Sequence, residues 1–151
     1  MQVESQITIK APLGKVFEVF SDLSRAEERV EGIKKIEILN PPAQMQLGTK
    51  WEETRVMFGK EAKEIMWVTE VNQNKNYVVE AESHGTHYRS EYTFEETGDA
   101  VLVKMVFEGK PLSFAAKLMS FMFLFFAKST KKLLEQDMAD LKKVCEGKAL
   151  V

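Results

Sequence analysis

The chain has 151 residues, of which 44% are apolar and 29% charged, and this composition argues against a largely disordered protein. Its 21 basic and 23 acidic side chains nearly cancel to a net charge of −2, so the chain lacks a strongly basic surface for nucleic acid. Cys145 is the only cysteine, which excludes an intrachain disulfide. The length suits one domain over residues 1–151.

The sequence also lacks the marks of secretion and of membrane insertion. Residues 1–10 contain neither the basic nor the apolar region of a signal peptide. The longest apolar stretch, residues 114–127, is shorter than the ~20 residues that cross a bilayer, and Lys117 and Ser120 interrupt it. We therefore expect a cytoplasmic protein without a transmembrane segment.

The first third of the chain predicts one strand and two short helices. Residues 2–10 alternate with a period of two, as a strand with one buried face does. Pro12 suits the first turn of a helix. The apolar stripe of this helix consists of Val16, Phe17, Val19 and Phe20. Residues 24–27 (Ser-Arg-Ala-Glu) match a capping box, which predicts a second short helix that ends at Gly32.

Strand patterns then follow one another from residue 33 to residue 110. The turn signals between them are residues 40–42, 59–60, 72–76, 84–85 and 97–99. His84 and Gly85 form a two-residue turn typical of a hairpin. The predicted strands are centred on Ile36 and Ile38, then on residues 49–58, 61–71, 77–83, 86–95 and 101–108.

A single long amphipathic helix is predicted at the end of the chain. Residues 113–146 contain neither glycine nor proline, and apolar side chains recur there at near-helical spacing. Strands in sequence with the helices segregated to one side define an α+β fold. We expect a curved seven-stranded antiparallel sheet wrapped around this helix.

This layout resembles the helix-grip fold of the SRPBCC superfamily, which includes START, Bet v 1 and polyketide cyclase/dehydrase proteins. The resemblance is carried by residues 9–12 (Ile-Lys-Ala-Pro), 48–51 (Gly-Thr-Lys-Trp), 68–70 (Val-Thr-Glu) and 92–94 (Tyr-Thr-Phe), together with the final helix. It implies a deep cavity between the sheet and that helix, and a role in binding or processing apolar small molecules. It does not imply a reaction, because the superfamily includes carriers as well as enzymes.

Strand alternation predicts which side chains line such a cavity, because residues two apart point the same way. On each strand we assign the more apolar set inward. The predicted ligand-binding residues are Trp51, Glu53, Arg55, Trp67, Tyr77, Tyr88, Tyr92, Met105, Phe107, Met122 and Phe126. The bland alternative is that any one of them only packs the core.

Glu53 and Arg55 are charged residues on an otherwise apolar strand face. They could contact a ligand or form an ion pair within the sheet, and we expect both to be partly buried and ion-paired, because an unpaired charge on an apolar face is costly. Glu53 and Tyr88 are the candidates for acid–base catalysis, should the protein be an enzyme. The two histidines, His84 and His87, have no carboxylate or cysteine at metal-ligand spacing, so we expect exposed histidines, no metal and no other cofactor.

Three functions remain open from the sequence. The first is an intracellular carrier or sensor of a lipid, a polyketide or a similar molecule. The second is a cyclase or dehydratase that uses cavity residues as acid and base. The third is an interaction protein, because residues 121–126 are apolar all round the helix and could form a homodimer or contact a membrane.

Overall fold

The computed structural model describes residues 1–57 and 59–147, with only the backbone described for residues 121–125. The α+β helix-grip fold predicted from the sequence is confirmed. The elements, in chain order, are β1 (Gln2–Ile9), α1 (Leu13–Ser21), a 3₁₀ turn (Leu23–Arg25), α2 (Ala26–Arg29), β2 (Ile33–Asn40), β3 (Lys50–Met57), β4 (Lys60–Asn72), β5 (Asn76–Ser83), β6 (Thr86–Thr97), β7 (Ala100–Pro111) and α3 (Phe114–Cys145).

The seven strands form one antiparallel sheet in the order β1-β7-β6-β5-β4-β3-β2. Strands β2 to β7 are sequential neighbours joined by hairpins, and β1 closes the order by pairing with β7 from Gln2 opposite Glu108 to Ile9 opposite Val101. The turn between β5 and β6 has positive φ at His84 (51°) and Gly85 (74°), as a two-residue hairpin turn requires. One face of the sheet, here called the inner face, lies against α3.

Helix α1 fills one end of the inner face with aromatic side chains. The rings of Phe17 and Phe20 lie 5.1 and 5.5 Å from the ring of Phe94, both edge to face. Tyr77 stacks on Tyr92 with 5.0 Å between the ring centroids. Such pairs stabilise a core beyond the area they bury, and this aromatic cluster also forms part of the wall of a cavity described below.

The predicted capping box at residues 24–27 is wrong. Asp22 instead caps the 3₁₀ turn that precedes α2: its Oδ1 accepts a hydrogen bond from the Ser24 backbone N–H at 3.0 Å. Glu27 does not reach back to Ser24, because its Oε1 accepts from the backbone N–H of Ile36 at 2.6 Å. Glu27 therefore fastens α2 to β2. Pro12 precedes α1 in an extended conformation, one residue before its predicted place.

Before the β-bulge at Thr69, the faces of β4 are the reverse of those predicted from its sequence. Trp67 lies on the outer face, where its ring is 6.4 Å from the ring of His87, and Ile65 is exposed. Glu64 and Met66 take the inner positions. The assignment of Trp67 to the cavity is therefore wrong. The rule that the more apolar set points inward failed on this strand, because Trp67 packs on the outer face while the carboxylate of Glu64 lies on the inner face.

A β-bulge explains why one alternation cannot describe the whole of β4. The register with β5 shifts between Val68 and Glu70, so Thr69 is an extra residue and the side chains beyond it change face. Val68 is buried, and Val71 packs against the same core from the other side of the bulge.

Helix α3 differs along its length. Ser113 caps its first turn, with the side-chain oxygen accepting from the Ala116 backbone N–H at 3.0 Å. In the C-terminal part Met138 and Cys145 are buried in the core. In the N-terminal part Phe114 and Leu118 are 77% and 59% exposed. Within the described part of the chain, no helix is long and apolar enough to cross a membrane.

Candidate functional site

A cavity of about 320 Å³ lies between the inner face of the sheet and α3. Most of its wall is apolar, and representative residues are Leu23, Val30, Ile33, Met66, Val79 and Leu141. The size is at the lower end of the range for small-molecule sites, and a mainly apolar wall with a few polar groups is typical of them.

The structure brings most of the predicted ligand-binding residues to this cavity. Those in its wall are Trp51, Glu53, Arg55, Tyr77, Tyr88, Tyr92, Phe107 and Phe126. Met105 points inward but is fully buried in the core and is not part of the wall. The side chain of Met122 lies outside the described residues. Contact with a ligand stays a prediction for all of them.

Glu53, Arg55 and Asp137 form the main polar group of the wall, here called the ion triad. The Arg55 Nε donates to Glu53 Oε2 at 2.6 Å. Its Nη1 and Nη2 donate to Asp137 Oδ1 and Oδ2 at 3.1 and 2.7 Å, a bidentate contact between β3 and α3. The side chains are only 8–14% exposed. The sequence-based prediction that Glu53 and Arg55 are buried and ion-paired is confirmed.

The chain segment before β2 is built closely around the ion triad. A side-chain carbon at Gly32 would lie only 2.9 Å from the Arg55 Nη1, which is held in place by Asp137. Next to it, the backbone N–H of Glu31 donates to Asp140 Oδ2 at 3.0 Å. Two carboxylates one helical turn apart on α3 therefore hold both the sheet and the loop that precedes β2.

Asp137 and Glu64 are charged wall residues that the sequence reasoning missed. Asp137 stands four residues after Leu133 and four before Leu141, so it lies within the apolar stripe of α3. A carboxylate in such a stripe is a signal that could have been used, because burial of an unpaired charge is costly. Glu64 was missed because of the reversed faces of β4.

Glu64 stands opposite Glu53 in the β3–β4 pairing and faces the cavity. Burial raises the pKa of the Glu64 carboxyl, and the negative charge of Glu53 raises it further, against the smaller opposing effects of His84 and Arg55. None of the described residues forms an ion pair or a hydrogen bond with its side chain. Glu64 is thus a half-buried acid without an ion-pair or hydrogen-bond partner among the described residues, although Arg55 and His84 weakly favour its ionised form.

The two candidates for acid–base catalysis are placed differently. Glu53 is held by Arg55 and by a longer hydrogen bond of 3.4 Å from the Trp51 indole N–H. Tyr88 stacks on Phe107 with 5.6 Å between the rings, and burial raises the pKa of its hydroxyl. Burial also raises the pKa of the Tyr92 hydroxyl, followed by the effect of Asp137. Both phenols are therefore neutral hydrogen-bonding groups near pH 7.

The histidines lie away from the cavity wall. His84 is exposed in the β5–β6 turn, and His87 is half-buried on the outer face. The two ring nitrogens of His87 lie 2.7 Å from Glu80 and 3.1 Å from Glu82, and these hydrogen bonds raise the pKa of its imidazole. Among the described residues, no cluster of three or more histidine, cysteine or acidic side chains is arranged to hold a metal.

Comparison with known proteins supports the fold independently. The profile of the family described as "Polyketide cyclase / dehydrase and lipid transport" matches residues 1–146. No curated protein matches the chain by sequence. The resemblance to the SRPBCC superfamily is thereby confirmed.

Solved structures of low sequence identity share the whole architecture. The di-domain ARO/CYC protein StfQ of the steffimycin biosynthetic pathway has a TM-score of 0.80 at 7% identity, over 97% of this chain and 51% of that one. Norcoclaurine synthase of Thalictrum has a TM-score of 0.74 at 15% identity, with 96% and 93% covered. TTHA0849 from Thermus thermophilus has a TM-score of 0.75 at 14% identity, with 95% of each chain covered. At these identities the likeness shows the fold.

The ion triad should be strongly coupled. We expect Arg55→Met and Asp137→Asn each to destabilise the protein, the first by about 3–5 kcal/mol because it leaves two buried carboxylates without their cation. The double variant should cost clearly less than the sum of the two, as measured by urea unfolding in a double-mutant cycle.

The matched control for this cycle is the exposed pair Lys34 and Glu61, 3.4 Å apart. The same cycle there should give a coupling of about 0–1 kcal/mol, because solvent screens both charges. Equal coupling energies in the two cycles would show that the ion triad contributes no more than a surface pair.

Glu64→Gln should stabilise the protein at neutral pH. The raised pKa of Glu64 means that the folded state disfavours the ionised form, so this residue destabilises the fold once ionised. Below the ordinary glutamate pKa both states are protonated and the effect vanishes. It grows as the pH rises through that value and is complete above the raised pKa. Thermal unfolding at pH 4 and pH 7.5 measures it, and a variant that is less stable than the parent at pH 7.5 would contradict it.

Proposed function

Because the chain belongs to the polyketide cyclase/dehydrase and lipid transport family, we propose that it binds a hydrophobic small molecule, such as a lipid or a polyketide, as a carrier or sensor. The observation that carries this proposal is the cavity of about 320 Å³ beneath α3 with its mainly apolar wall. We treat residues 1–151 as one ligand-binding domain. Its location in the cytoplasm stays a prediction from the sequence.

Burial in an apolar cavity supplies the binding free energy in this proposal. Each square ångström of apolar ligand surface removed from water contributes about 25 cal/mol. A wall with few polar groups gives little directional contact, so the ligand is selected mainly by shape and length. The hydroxyls of Tyr88 and Ser90 and the charged groups of the wall then orient a polar end of the ligand.

The ion triad favours the carrier or sensor over the cyclase or dehydratase. A general base must be free to take a proton from the substrate, whereas Glu53 accepts hydrogen bonds from both Arg55 and Trp51. In the enzyme alternative, Glu64 or Tyr88 would have to act as the acid–base group. In that case Glu64→Gln should abolish a measurable conversion and leave binding intact.

The cavity proposal is tested by filling the space. Ala81 is buried in the wall on β5, and the next residue, Glu82, is exposed on the outer face. We expect Ala81→Leu to weaken the binding of Nile red, followed by fluorescence, by about tenfold or more, because the added side chain occupies ligand volume. Glu82→Leu introduces the same group outside the cavity and should leave binding unchanged.

Native mass spectrometry of the freshly purified protein adds a direct readout. The parent should carry a non-covalent ligand mass that Ala81→Leu loses. If the parent carries no adduct and Nile red binds both variants equally, the cavity is not a ligand site and the proposal fails.

We further propose that α3 brings the protein to an anionic lipid surface. Four side chains at the start of α3 and just before it, Leu112, Phe114, Leu118 and Met119, are more than half exposed; we call them the α3 surface. Residues 109–134 contain five lysines and no acidic residue, in a chain whose net charge is −2. Exposed apolar groups combined with local positive charge are typical of helices that bind anionic membranes.

Vesicle co-sedimentation tests this contact. The protein should sediment with phosphatidylcholine vesicles that contain phosphatidylglycerol, and much less with phosphatidylcholine alone. Replacing Lys117 and Lys128 by alanine should weaken binding by about 1 kcal/mol per lysine. Lys104→Ala, at an exposed position on β7, should leave it unchanged. Two results would overturn this proposal. The first is sedimentation that depends neither on lipid charge nor on the two lysines. The second is a stable dimer, detected by ultracentrifugation, in which the α3 surface is the interface.

A further inference from the structure

The cavity wall carries more negative than positive charge. Five acidic residues contribute to it, against Arg55, the only lysine or arginine among its described residues, and Met1, whose α-ammonium donates to the Gly109 carbonyl at 3.1 Å. Two of the acids have partners outside the ion triad: Asp22 lies 3.6 Å from Arg29, and Glu80 lies 2.7 Å from His87 on the outer face. The remaining carboxylates, Glu53, Glu64 and Asp137, therefore share a single guanidinium.

Arg55 is poorly placed to receive an anionic ligand. Two carboxylates already bond to it at 2.6 and 2.7 Å, so its positive charge is more than neutralised within the ion triad. A ligand carboxylate or phosphate that approached it would meet Glu53 and Asp137 at close range. Like charges at short range in a medium of low dielectric repel strongly.

Glu64 offers the opposite kind of contact. It is half-buried at the cavity, lies in register with Glu53, and has no partner among the described residues. Buried carboxylates are stabilised when a cation or a hydrogen-bond donor comes within contact distance. A positively charged group at this point would balance the charge of Glu64, and the apolar wall around it would hold a hydrocarbon body.

On the basis of the proposed function, we infer that the cavity selects an amphiphilic amine, whose ammonium group contacts Glu64 while its apolar part fills the rest of the space. The ammonium supplies the charge that the described wall lacks, and its N–H groups donate to the carboxylate. A neutral alcohol of the same length retains only the apolar contacts and a weaker hydrogen bond. A fatty acid of that length retains the apolar contacts and adds a repulsion.

Three probes of equal chain length separate the contributions of charge and apolar burial: decylamine, decanol and decanoate. Each probe is titrated against the complex of Nile red with the parent protein at pH 7.5. The loss of Nile red fluorescence gives the dissociation constant of the probe. We expect decylamine to bind at least about tenfold more tightly than decanoate, with decanol between them. Glu64→Gln should reduce this preference to within about threefold, because the ammonium loses its counter-charge.

The control variant removes the same charge elsewhere on β4. Glu61 is exposed and pairs with Lys34 at the surface, so Glu61→Gln changes the net charge of the protein by the same amount without touching the wall. It should leave the preference for decylamine intact. A preference reduced equally by both variants would show that overall charge attracts the amine, and this would overturn the inference.

The outcomes separate the inference from the proposal beneath it. If decanol binds but decanoate binds as tightly as decylamine, the cavity is a ligand site without selectivity for amines, and only the inference fails. If Glu64→Gln binds decylamine as tightly as the parent, the ammonium contacts another group and the inference fails as stated. If none of the three probes displaces Nile red, the proposed function fails with it.

Discussion

One guanidinium connects the two halves of this fold. Arg55 projects from β3 into the space between sheet and helix, and its bidentate contact with Asp137 fixes α3 over the inner face. A side chain this polar is costly to bury without partners. The pairing with Glu53 and Asp137 removes that cost, and it also determines which helical turn faces β3. The cavity lies beside this polar contact, and all three residues of the ion triad belong to its wall.

Helix α3 is fastened at both ends and spans the cavity between them. At its start, the Leu112 backbone N–H donates to the Gly85 carbonyl at 2.7 Å. A side-chain carbon at Gly85 would lie 2.7 Å from the Ser113 Oγ, so only glycine combines this close approach with its positive φ. Towards the other end, Asp137 and Met138 attach the helix to the sheet and the core. Between these points Phe126 and Thr130 face the cavity.

The strands and the long helix could be predicted from the sequence because each has a clear period and clear end signals. The pattern at residues 86–95 and the turn at His84 and Gly85, for example, specify a hairpin whatever else the chain does. The family resemblance then supplied the helix-grip arrangement. What local pattern could not supply was the face of β4, since the bulge after Val68 changes the alternation within a single strand. Bulges leave no reliable mark in composition.

The site residues, too, could be predicted from the sequence only where they lie close together in the chain. Glu53 and Arg55 were identified because a period of two brings residues on one strand to one face. Asp137 lies 82 residues beyond Arg55, and no local pattern pairs positions so far apart; only its place within an apolar stripe marked it. A cavity wall that brings charges together from β3, β4 and α3 is a property of the tertiary structure. The neighbours of known structure share the architecture at 7–15% identity, so the ligand has to be argued from the charges and shape of this wall.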